Sequence, residues 1–91
     1  MKKLRECLRS GIIQYHPHFL LRCKERSIDP QDVQFVLRKG MICDEPELDI
    51  RFQQWRYKVE GKPPDCKRLK VVFAFIEDTE ALVITVMFGS S

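Results

Sequence analysis

The sequence has no long apolar stretch: its longest uninterrupted run, Val71 to Ile76, is far below the roughly 18–20 residues that a bilayer-spanning helix needs. The N-terminal segment MKKLRECLR is basic but is not followed by an apolar run. Neither a membrane span nor a secretory signal is read, so the expected location is the cytoplasm. Glycine and proline are sparse, four and five residues without a period, which excludes collagen-like and low-complexity sequence. Disorder is excluded by a hydrophobic content of 44%. Cys7, Cys23, Cys43 and Cys66 form no C-x-x-C pair. In a cytoplasmic chain they read as reduced thiols, some of them packed as small apolar residues. A zinc site joining one of them to His16 and His18 has no recognised ligand spacing, and no metal or cofactor is expected. A glycine-rich phosphate loop is missing too, as is any Ser/His/Asp or Cys/His nucleophile spacing.

What is present suits one small domain over residues 1–91, able to form one core with a stability on the order of 5–10 kcal/mol. The net charge of +3 is unevenly spread. Residues 1–28 carry seven basic and two acidic side chains, residues 29–50 two and six, and residues 51–91 seven and five. Such clustering permits a basic face for a polyanion without requiring one, because binding depends on local rather than total charge.

Helical signals come first. Residues 2–9 place Leu4, Cys7 and Leu8 on one side of a short helix that ends at Gly11, and Ile12 to Tyr15 is a brief strand at most. Pro17 suits the first turn of a helix that runs to Ile28. Asp29 caps a second helix with Pro30 in its first turn and Asp32 three residues on. Val33, Val36 and Leu37 are its apolar stripe, and Gly40 after Arg38 and Lys39 is its stop. The period then becomes two. Met41 to Cys43 is a short strand, the acidic residues 44–49 a loop, and Arg51 to Glu60 an alternating strand broken by GKPPD. The strands around Leu69–Ile76 and Ala81–Phe88, joined by a turn at 77–80, form a central hairpin with Leu82, Ile84, Val86 and Phe88 on one face. The expected fold is α+β, with two or three N-terminal helices on one face of a three- to four-stranded antiparallel sheet.

His18, Arg22 and Arg26 stand four residues apart, so at about 100° per residue they form one stripe along the first long helix. Guanidiniums bind phosphate bidentately, and an imidazole can move a proton at physiological pH. RNA cleavage by 2′-hydroxyl attack needs both functions. On the later strand Arg51, Arg56 and Lys58 offer cations for nucleic acid, and Tyr57 a proton donor or a ring on which a base stacks. Trp55 is expected in the core, and Thr85 in a local hydrogen bond. The same residues also have a structural reading: Arg22 and Arg26 would pair with the acidic residues 44–49, and His18 would be a polar residue at a helix end.

The run HFLLRCKERSIDPQDVQFVLRKG, His18 to Gly40, resembles a prokaryotic family of unknown function grouped with the RelE/ParE-like toxins. YKVEG (Tyr57 to Gly61) and VITV (Val83 to Val86) are similar to that family's strands. The resemblance implies a helical pair on an antiparallel sheet and metal-independent cleavage of mRNA on the ribosome by basic residues and a Tyr, though others of the group act on gyrase. Carried over, it bears on His18, Arg22 and Arg26, and loosely on Tyr57 and Lys58; the chain departs from the RelE pattern in ending on a strand. It implies RNA or the ribosome and an acidic antitoxin as partners. Two functions therefore stand: a toxin-type RNA-binding endoribonuclease, and a noncatalytic protein-interaction or nucleic-acid-binding module.

Overall fold

The computed structural model describes residues 4, 5, 8, 9, 11–64, 66–77 and 79–89. The expected helix over 2–9 lies partly outside them, as do Cys7, Asp65 in the GKPPD break and Asp78 in the hairpin turn. Leu4, Arg5, Leu8 and Arg9 are helical, and Leu4 is buried. Then follow β1 (Ile12–Tyr15), α1 (Pro17–Arg26), α2 (Pro30–Lys39), β2 (Met41–Asp49), β3 (Gln54–Gly61), β4 (Leu69–Glu77) and β5 (Glu80–Phe88). Among the described residues no helix is long and apolar enough to cross a membrane.

Both long helices start at proline, where the missing N–H costs nothing. Asp29 caps α2 as its sequence predicts, its Oδ1 accepting from the Gln31 N–H at 2.9 Å. Helix α1 ends one residue earlier than Ser27, which takes the left-handed conformation at φ 55° and lets the Ile28 N–H reach the Cys23 carbonyl at 2.9 Å. Gly40 does stop α2, but with φ −74° it is not a left-handed cap. Glycine is required there by proximity, since a Cβ would lie 2.5 Å from the Val36 carbonyl oxygen and 2.7 Å from that of Glu60.

The sheet has five strands in the order β1-β5-β4-β3-β2 and is mixed, not purely antiparallel with three or four strands, because β1 joins β5 in parallel. Four residues suffice for that pairing: Ile12 to Tyr15 sit opposite Glu80 to Val83. The helices cover one face. Phe19, Cys23, Val33, Val36 and Leu37 meet Val59, Leu69, Val71, Phe73, Val83 and Val86 there, all at most 4% exposed.

Two departures shape the opposite, open face. In β5 the register slips between Thr85, opposite Val72, and Val83, opposite Phe73. Ile84 is the extra residue, a bulge that returns Val86 to the core and leaves Leu82 and Ile84 on the open side. The expected single face of Leu82, Ile84, Val86 and Phe88 is thereby split. In β2 the acidic residues 44–49 are not a loop: the strand continues through them around a shift between Cys43 and Glu47, with Asp44 at φ 60°.

Burial pushes the Cys23 thiol above its ordinary range, with Asp29 adding to the effect, and Cys43 and Cys66 move the same way. Lys70 is also raised, chiefly by its hydrogen bond to Asp44. A raised folded-state value favours the protonated form, so the associated stability is whole below the ordinary pKa and lost as pH climbs through the raised one. All these shifts act in one direction. The melting temperature is expected to fall as pH rises from about 8.5, the ordinary thiol value, towards 11, as thermal melts across that range would record; a flat profile would contradict the burial described.

Candidate functional site

The open face is built up from the start of α1. His16 precedes Pro17 in extended conformation and its Nδ1 accepts the His18 N–H at 3.0 Å, so an imidazole serves as the helix cap. Its own N–H donates to the Val83 carbonyl at 2.9 Å, which pins the helix start to β5. With Nδ1 occupied as acceptor, neutral His16 carries its proton on Nε2. One residue past the proline, His18 is exposed, and its Nε2 accepts from the Arg22 Nε at 3.3 Å. That bond leaves neutral His18 with a lone pair on Nε2 and the proton on Nδ1. The two imidazoles, 6.4 Å apart between ring centroids, are thus held in opposite tautomers.

The sheet brings the second half. Arg56, Ala74 and Leu82 lie in one cross-strand row, with the small, buried Ala74 between Arg56 and Leu82. Asp49 holds the Arg56 guanidinium at 2.7 Å. Its Nε is buried without a hydrogen-bond partner among the described residues. Together His16, His18, Phe52, Gln54, Arg56, Leu82 and Ile84 line a hollow of about 400 Å³. It has an apolar floor, two imidazoles on one rim and a guanidinium on the other.

Of the residues expected to act, His18 and Arg56 therefore share this hollow, and Arg22 adjoins it through His18 while also lying 3.6 Å from Glu25. Arg26 is engaged elsewhere, donating to the Val86 carbonyl at 3.4 Å and tying the end of α1 to β5. Tyr57 is not brought to His18. Period two puts it on the helix side of β3, stacked on Phe73 and edge-on to Phe75. There it lines a larger cavity of about 810 Å³ with Leu4, Met41, Ile42 and Pro46. That cavity is bigger but mostly apolar, and among the described residues only Arg5 brings it a charge, so size does not make it the reactive site. Arg51 falls in the turn before β3, its guanidinium 5.7 Å from the Phe52 ring centroid. Lys58 is on the open face but occupied by Glu47 at 3.2 Å and Asp44 at 4.0 Å. Trp55, expected in the core, is 52% exposed.

The acidic residues 44–49 pair with Arg56, Lys58 and Lys70 of the sheet rather than with Arg22 and Arg26. Lys58 and Lys70 are thereby occupied by carboxylates, whereas Arg56, though paired with Asp49, still lines the hollow across from the imidazoles, beside which Arg22 stands. His16, Phe52 and Gln54 were not singled out as site residues by the sequence. The His16–Pro17 step was the available signal, since a proline in the first turn makes its predecessor the cap. Among the described residues no group of three or more His, Cys, Asp or Glu is placed to hold a metal ion.

Comparisons with curated proteins and with solved structures return no match. A family model described as "Domain of unknown function (DUF4258)" matches residues 15–88, a span that contains His16, His18, Arg22, Phe52, Arg56 and Ile84. Matched over most of its length, the chain belongs to the DUF4258 family.

Proposed function

We propose that the open-face hollow binds single-stranded RNA and cleaves it by 2′-hydroxyl attack. The observation that carries this reading is the meeting of His18, with Arg22 on its Nε2, and Arg56 around one concavity whose other imidazole, His16, presents an N–H. His18 Nε2 takes the 2′-hydroxyl proton as Arg22 turns from the imidazole to the phosphate. The 2′-oxygen bonds to phosphorus, Arg22 and Arg56 balance the charge of the phosphorane, and the bond to the 5′-oxygen breaks. His16, taking a proton from solvent on Nδ1 in place of the His18 N–H, acts as the imidazolium whose Nε2–H protonates that oxygen and returns to a neutral imidazole. The products are a 2′,3′-cyclic phosphate and a 5′-hydroxyl, and the proton count closes on side chains. Tyr57 has no part in this scheme.

The grouping with RelE/ParE-like toxins extends the proposal: the substrate is then mRNA on the ribosome, in the cytoplasm, and the cell's counterpart is an acidic antitoxin protein. End-labelled RNA incubated with purified protein, alone and with ribosomes, tests it. Wild type is expected to yield cyclic-phosphate ends and His18→Ala to leave RNA intact. RNA bound by wild type but never cut would make the chain a noncatalytic nucleic-acid-binding module instead; RNA neither bound nor cut would end the proposal.

A further inference from the structure

Phosphate and hydroxyl chemistry uses only the polar rim of the hollow, and the remaining half is apolar. Leu82 and Ile84 form its floor, and Phe52 forms a wall on the side of the β2–β3 turn. Phe52 is 68% exposed although it is among the largest apolar side chains of the chain. One observation fixes its setting: the Arg51 guanidinium stands 5.7 Å from its ring centroid, while the ring contributes to the hollow. Gln54, the next open-face residue towards Arg56, adds an amide with both donors and an acceptor. An apolar floor, an exposed ring and one amide, lining the same hollow as a guanidinium and two imidazoles, match a nucleotide rather than a bare anion.

We infer that this half of the hollow is a slot for one nucleobase of a single-stranded RNA, with Phe52 as stacking ring, Leu82 and Ile84 beneath, and Gln54 on the base edge. The inference rests on the proposed RNA-binding reading and adds where the base beside the reacting phosphate goes. Alternation already sets Leu82 and Ile84 side by side on the open face, and the extra residue at Ile84 then turns Val86 back into the core, so the slot floor ends there.

The test uses fluorescein-labelled hexanucleotides with 2′-deoxy sugars, which lack the attacking hydroxyl, in a base-bearing form and an all-abasic form, titrated by anisotropy against the full chain. Stacking predicts that the base-bearing oligomer binds wild type about 5- to 100-fold more tightly than the abasic one, and that Phe52→Ala removes most of that difference. Phe52 lies in an exposed turn, so circular dichroism should show the variant folded. Equal affinity for both oligomers, or a Phe52→Ala variant with an unaltered preference, overturns the slot; abasic binding that still weakens with Arg56→Ala would then leave the underlying reading in place. If neither oligomer binds, the underlying reading fails and takes the slot with it.

Discussion

Gly40→Ala is expected to destabilise the fold by about 3 kcal/mol, the upper part of the range for overpacking a tight site, out of a total on the order of 5–10 kcal/mol. Its backbone, at φ −74°, suits any residue, so the substitution carries no conformational strain of its own. An alanine in a compatible conformation normally gains about 0.4–1 kcal/mol by restricting the unfolded chain. The loss must come from contact. The new methyl would stand 2.5 Å from the Val36 carbonyl oxygen, 2.7 Å from the Glu60 carbonyl oxygen and 3.0 Å from Val59 Cγ2. Two of these are backbone atoms of the last turn of α2 and of β3, and they cannot rotate away. Gly89→Ala is the control, because its nearest neighbours are side-chain atoms of Arg68 and Glu60, at 3.1 Å. Urea unfolding should give a clearly lower midpoint for Gly40→Ala with an unchanged slope, and a near-native midpoint for Gly89→Ala. A stable Gly40→Ala would mean that α2 does not rest on β3 as described.

How much of the fold the sequence disclosed follows from which signals are local. Pro17, Asp29, Pro30 and Gly40 mark both helices because capping is settled within one turn. The alternation of Trp55, Tyr57 and Val59 with Arg56 and Lys58 fixes β3 in the same way. Pairing across long separations leaves no such mark. Nothing in Ile12 to Tyr15 announces a parallel partner in Glu80 to Val83, and no glycine or proline signals the bulge at Ile84. The acidic residues read as a loop because charge runs usually stay solvated. Here they form an edge strand instead, and Arg56 and Lys58 of the neighbouring β3, with Lys70 reaching over from β4, meet them. Trp55 follows the correct face of β3, but its exposed position near the end of the strand leaves it uncovered.

The candidate site was legible in part for the same reason. The helical stripe names His18 and Arg22, yet places Arg26 with them although it is spent on the Val86 carbonyl. Period two, applied strictly, already separates Arg56 from Tyr57: adjacent residues of a strand face opposite sides, so a pocket holding Arg56 excludes its neighbour. What sequence alone could not supply is the docking of α1 along β5, through His16 and Arg26. That docking brings a helix residue to a strand residue 38 positions later.

His18→Ala is expected to slow single-turnover RNA cleavage by about 100- to 10,000-fold, the usual yield of a positioned general acid or base. His16 needs a finer dissection because it has two jobs. As the cap of α1 its Nδ1 accepts the His18 N–H, and in the proposed reaction its Nε2 delivers the proton to the leaving oxygen. His16→Ala removes both, so it should lower the melting temperature, by the roughly 1 kcal/mol that a lost cap costs, as well as the rate. His16→Asn keeps an oxygen that caps a helix well and cannot act as an acid at neutral pH. It should melt near wild type and cleave about 100-fold more slowly. Arg56→Ala removes charge from the same transition state and should cost about 100- to 1,000-fold. Combined with His18→Ala it should cost less than the product of the single effects, because groups acting on one transition state are not additive. Multiplicative losses would place Arg56 on a separate step, and a His16→Asn variant as fast as wild type would reduce His16 to its cap. If His18→Ala and Arg56→Ala both fold and neither slows the reaction, the hollow is not where cleavage occurs.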